Sequence, residues 1–232
     1  MLLNISLKYL GLAEIHYRCI LKSMSIRPVP FITEEYYHLY NRGNSKNVIF
    51  HDEQDHSYFI NLLKIVNSEQ KVKTGITKSI DQKERVISIG AYCLMPNHFH
   101  ILVKQEKDKG VSIFMQKLLT GYVGYYNKKY KRTGSLFEGK FKSKYAGVDT
   151  YLKYLFSYIH LNPLKIMDKD WKKVKLHDKH FSFLLKYPYS SFNEYLVGSF
   201  DLINKEEFPD YFPSRASFLK EIVSWLKLEG EY

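Results

Sequence analysis

The chain has 232 residues, 45% hydrophobic and 16% aromatic, with a formal net charge of +11 at pH 7. These values fit one elaborated globular domain, or a domain with a smaller appendage, and the basic surplus favours a polyanionic partner such as nucleic acid or an anionic membrane surface. No apolar run reaches the roughly 18 residues that a membrane-spanning helix needs. The N-terminal apolar residues are broken by Lys8, Glu14, His16 and Arg18, so a secretory core is missing, and the two cysteines, Cys19 and Cys93, lack CxxC spacing. A cytoplasmic protein with free thiols is expected.

In chain order, residues 1–30 read as an N-terminal extension that ends in the stiff Arg27-Pro-Val-Pro30. Met24 offers an alternative start, which makes the residues before it dispensable. The body opens with an alternating strand, Tyr36-Tyr-His-Leu-Tyr-Asn-Arg-Gly43. Asp52 or Asp55 can cap a helix whose Phe59, Leu62, Leu63 and Val66 fall at helical spacing. A polar connection over 67–85 leads to strands Val86–Leu94 and His98–Lys104, joined as a hairpin through Met95-Pro-Asn97. Gly110–Tyr130 reads as a second helix, and a fourth strand lies around Lys140–Val148. Asp149 or Thr150 caps a third helix, near 151–162.

The order β-α-β-β-α-β followed by a helix predicts an α+β, ferredoxin-like antiparallel sheet with helices on one face. A further helix would follow the last strand, and residues 166–232 form a mostly helical C-terminal extension with an amphipathic segment over Ser217–Leu228.

His98 and His100 are two apart on a strand and project to one face, while Phe99, Ile101 and Val103 take the other. Two imidazoles so placed can converge on one divalent ion, although core or surface histidines give the same pattern. In the third helix Leu152, Leu155, Phe156 and Ile159 form the buried stripe. Tyr154, Tyr158 and Asn162 form a second stripe beside it, and Asn162 ends the helix because Pro163 disfavours helical backbone before it. A phenol and a carboxamide one turn apart can reach a site over the sheet. A core-edge tyrosine and a helix-end asparagine are the plainer reading.

Between these motifs, residues 121–145 interleave tyrosines with lysine and arginine, and Glu138 is their only acid. Lysines neutralise phosphates and exposed tyrosines stack on unpaired bases, which suits a nucleic-acid single strand or hairpin better than a duplex. Arg42, Lys128, Lys129, Lys131, Arg132, Lys140, Lys142 and Lys144 are the candidate DNA contacts.

Three motifs stand in a specific order: His98-Phe-His100, Gly134-Ser-Leu-Phe-Glu-Gly-Lys-Phe-Lys142 and Tyr158-Ile-His-Leu-Asn-Pro163. Together they resemble the single-tyrosine HUH transposases, most of all the REP-associated tyrosine transposases. The resemblance covers roughly residues 31–165, and Tyr187–Leu196 is similar to that group's C-terminal extension. It implies a nuclease domain in which Tyr158 is the nucleophile and His98, His100 and Asn162 hold Mg²⁺ or Mn²⁺. Phe99 fills the bulky middle position, and Lys140 stands where arginine is commoner. The implied activity is cleavage and rejoining of single-stranded or hairpin DNA through a 5′-phosphotyrosine, by a monomer or a homodimer.

Phenols titrate near 10, so cationic help is needed at neutral pH. Tyr154 is the rival nucleophile, eight residues from Asn162 rather than four, and His160 points to another side of the helix. A binding module without turnover and a metal-dependent hydrolase using water are the alternatives from other classes.

Overall fold

The computed structural model describes residues 30–68, 84–169, 171 and 178–228. The described residues from Thr33 onward belong to one compact unit. Residues 1–29, with the expected extension and Cys19, lie outside the described residues, as do 69–83 of the polar connection. The unit runs β1 (Tyr36–Arg42), α1 (Glu53–Ile65), β2 (Ile87–Met95), β3 (His98–Gln105), α2 (Gly110–Lys129), β4 (Lys142–Tyr145) and α3 (Asp149–Leu161). A short α4 (Leu164–Met167), then α5 (Asp178–Lys186), α6 (Phe192–Val197) and α7 (Arg215–Leu228), complete it. The strands form one antiparallel sheet in the order β2-β3-β1-β4. The ferredoxin-like expectation holds for the fold, with a fourth strand shorter than 140–148.

Local chemistry accounts for the joints that matter. Asp52 caps α1 by accepting from the Asp55 N–H at 3.0 Å. The β2–β3 turn is held from outside: Pro96 O accepts from Ile49 N (2.8 Å) and Phe50 N (3.0 Å), and Asn97 O accepts from Gly43 N (2.9 Å). Gly43 also lets the segment after β1 fold tightly back, because a Cβ there would lie 2.2 Å from Asn47 O. The turn that delivers His98 and His100 is thereby fixed.

Phe99 packs against Phe59 of α1 at 5.1 Å between ring centroids, and Phe59 meets Tyr122 of α2 at 5.0 Å. That layer covers one face of the sheet. The other face takes α3, whose Tyr158 ring meets His100 of β3. Helices therefore lie on both faces, which is why all of β2 and nearly all of β3 is buried.

The C-terminal extension seals the β2 edge. Ser190 bridges Cys93, Leu94 N donates to Tyr189 O (2.8 Å), and Ser191 N donates to Tyr92 O (3.0 Å). An unpaired strand edge is an aggregation risk, and this pairing removes it. Gly90 marks the β2 irregularity, with the Phe208 ring 2.7 Å from where a Cβ would stand.

The basic-aromatic segment differs from its expectation along α2. Tyr122 and Tyr126 are core residues, at 0% and 4% exposure. Asp55, with no exposed side-chain surface, accepts from Lys129 Nζ (2.7 Å), Tyr130 Oη (2.7 Å), Tyr125 Oη (3.0 Å) and His51 N (2.8 Å). Lys129 also bonds both oxygens of Asp52. Helical spacing aims these groups at α1, so Lys129 serves the fold.

Burial opposes ionisation of Asp55, but the bonds from Lys129, His51, Tyr130 and Tyr125 outweigh it and hold its pKa below the usual carboxylate value. Asp55→Ala is expected to cost about 3 kcal/mol by stranding these donors. Because the folded-state pKa is the lower one, this stability is complete above the unfolded carboxylate pKa of about 3.9. It disappears as pH falls through the folded value. Thermal melts of wild type and Asp55→Asn between pH 6 and 3 check this: the difference between them should shrink at the acid end.

Candidate active site

Directly opposed residues of an antiparallel pair share a face. On the α3 face, β1 sets Arg42 opposite His98, Tyr40 opposite His100 and His38 opposite Leu102. Next to β1, β4 sets Lys142 opposite Tyr40 and Lys144 opposite His38. The expected His98–His100 pair is therefore flanked by His38 and three of the candidate DNA cations.

The rings of His98 and His100 are 5.0 Å apart and nearly perpendicular. His98 Nδ1 lies 2.6 Å from Asn97 Oδ1, and an amide oxygen only accepts, so Nδ1 carries the proton and Nε2 keeps its lone pair. His100 Nδ1 is 2.9 Å from His38 Nε2 inside the protein. When His100 donates in that bond, its Nε2 is bare as well. Burial first, then the Arg42 and Lys165 charges, lowers the His98 pKa to about 4. The same causes, joined by His38 and His98, hold His100 well below its ordinary value. His38 falls to about 4 through burial and Lys144. All three rings are neutral at pH 7, the state in which imidazole binds metals.

Helix α3 brings the tyrosine. The Tyr158 ring sits 5.5 Å from His100 and 6.0 Å from His38, edge-on to both. Tyr154 stacks on Tyr158 one turn earlier, at 5.7 Å. Asn162 is fully buried and ends the helix as expected, yet its own backbone is still helical (φ −53°, ψ −37°) before Pro163. The reason is local. Asn162 N turns to Ile159 O, and its side-chain Nδ2 donates to Tyr158 O at 2.8 Å in place of the missing backbone bond. Asn162 Oδ1 accepts from Lys165 Nζ at 2.8 Å, and the same ammonium lies 5.0 Å from the Tyr158 ring centroid.

His160 is spent on structure, 2.7 Å from Ser191 Oγ and fully buried. Lys128, Lys131, Arg132 and Lys140 are exposed around the end of α2 and the following loop.

The residues fit a divalent ion in part. With His100 donating to His38, both Nε2 atoms are imidazole donors, each oriented by a partner on Nδ1, which is how ligating histidines are usually held. Imidazole favours Mn²⁺ over Mg²⁺. Among the described residues no three His, Cys, Asp or Glu side chains are grouped to hold an ion.

His38 and Lys165 are absent from the sequence-derived set. Alternation with Tyr40 was the signal for His38, and a basic residue following Asn162-Pro163 was the signal for Lys165.

Fold and site define an α+β protein of ferredoxin-like topology with a cationic face lined by histidines and a tyrosine. The family model of IS200-like transposases matches residues 32–162, and the chain belongs to that family. Its class is that of a transposase. Its fold is similar to that of a REP-associated tyrosine transposase solved with a REP hairpin, at 16% identity and a TM-score of 0.50, over 83% of this chain and 93% of that one. A tRNA(His) guanylyltransferase from Saccharomyces cerevisiae aligns less well, at 12% identity and a TM-score of 0.40, over 79% of this chain and 84% of that one. No curated protein matches the chain.

Proposed function

We propose that this transposase binds single-stranded or hairpin DNA and cleaves and rejoins it through a 5′-phosphotyrosine on Tyr158. The observation that carries the reading is the Tyr158 ring held against His100 and His38, with His98 adjoining.

In the forward step the Tyr158 oxygen forms a bond to phosphorus as the bond to the 3′-oxygen breaks, and that oxygen leaves as a 3′-OH. The phosphodiester energy is kept in the new linkage, so a 3′-OH can reverse the reaction and join strands without a nucleotide cofactor. His98 and His100 would hold Mg²⁺ or Mn²⁺, with Asn162 as a third ligand. Bound there, the ion supplies charge neutralisation at the scissile phosphate. Arg42, Lys142 and Lys144 contribute fixed positive charge on the same face, and the exposed Lys128, Lys131, Arg132 and Lys140 extend the path for the strand.

His38 acts through its bond to His100, keeping the Nδ1 proton in place. His38→Ala is expected to weaken Mn²⁺ binding about 10- to 100-fold, as read by isothermal titration.

Incubation with a 3′-end-labelled REP-type hairpin and Mn²⁺, resolved on a denaturing protein gel, tests the function itself. A labelled band at the size of the protein supports strand transfer. Binding without any adduct indicates a regulator, and cleavage to free 5′-phosphate without an adduct indicates a water-using hydrolase.

A further inference from the structure

We infer that Lys165 and the divalent ion compete for the carboxamide oxygen of Asn162, so that the metal-free site is closed by its own ammonium and metal loading releases that ammonium beside Tyr158. The inference rests on the proposed ligand role of His98, His100 and Asn162.

Three features of Asn162 leave the oxygen no alternative direction. The residue is fully buried, its Nδ2 is bonded to Tyr158 O, and a flipped amide would set its oxygen against that same carbonyl oxygen. The oxygen an ion needs is thus the one that Lys165 Nζ holds at 2.8 Å. A divalent ion on the histidines and an ammonium on the third ligand repel strongly at such range.

Lys165 belongs to the short helix α4, its side chain is only half-buried, and a lysine stem has four rotatable carbons. Until the ion arrives, the ammonium keeps Asn162 oriented. Once released it remains tethered next to the Tyr158 ring, where a phosphate would bind. Cleavage competence then depends on exchanging one cation for another.

Mn²⁺ titration of the full chain, followed by the loss of the free-ion EPR signal, tests the competition without DNA. Lys165→Met is expected to lower the Mn²⁺ Kd about tenfold. In an Asn162→Ala background the same substitution should change it by less than about threefold, because the contested oxygen is gone. Lys165→Ala repeats the measurement with a different side chain, and circular dichroism shows that each variant is folded. An unchanged or weakened affinity in Lys165→Met overturns the inference. An equal gain in both backgrounds also overturns it, since general repulsion would then be the cause. Mn²⁺ binding that survives His98→Ala with His100→Ala instead removes the ligand reading beneath it.

Discussion

Tyr158→Phe is expected to eliminate the covalent DNA adduct and to reduce strand cleavage by at least about 10⁴-fold, the scale on which removal of a nucleophile acts. One oxygen is deleted. The ring stays, with its edge contacts to His100 and His38 and its stacking on Tyr154. The side chain is half-buried, so stability should move by less than about 1 kcal/mol. Hairpin affinity should also hold, because the exposed lysines do not depend on the phenol. Adduct formation, a thermal melt and a gel shift on the same preparation separate these outcomes. Tyr154→Phe is the companion variant, and it should still form the adduct.

The second large effect is expected for His98→Ala combined with His100→Ala. Loss of both imidazoles removes several kcal/mol of charge stabilisation at phosphorus, which amounts to about 10³-fold or more in cleavage rate. Binding should fall only a few-fold, because Arg42, Lys142 and Lys144 remain on the face. Stability will not be untouched. His100 is 94% buried and bonded to His38, and stranding His38 Nε2 costs about 1–3 kcal/mol. Gel shifts and cleavage assays should therefore be run well below the lowered melting temperature. Equal losses of binding and cleavage would contradict the division of labour between histidines and lysines.

Much of this arrangement could be read from residue periodicity. The twofold period of His98-Phe-His-Ile-Leu-Val103 put both histidines on one face, and the 3.6-residue period of α3 put Tyr158 and Asn162 on one stripe. The sequence alone did not disclose which partner each group would meet. His38 earns its place through strand register, because the pairing of β1 with β3 brings its Nε2 to His100 across 62 residues of chain. Lys129 and the tyrosines of α2 looked like a nucleic-acid surface because composition does not distinguish a lysine facing solvent from one facing a buried Asp55. Asn162 combined two readings. Its nitrogen caps the helix, as the plainer view held, while its oxygen is turned toward Lys165. Only side-chain geometry separates the two ends of one carboxamide.

The central claim is that Tyr158 carries the broken strand. Proteolysis of the adduct formed with a REP-type hairpin and Mn²⁺, followed by mass spectrometry of the nucleotide-bearing peptide, measures this directly. The account predicts a 5′-phosphate esterified to Tyr158, with a free 3′-OH on the released fragment. A phosphate on Tyr154, or cleavage that leaves no peptide attached, would contradict it.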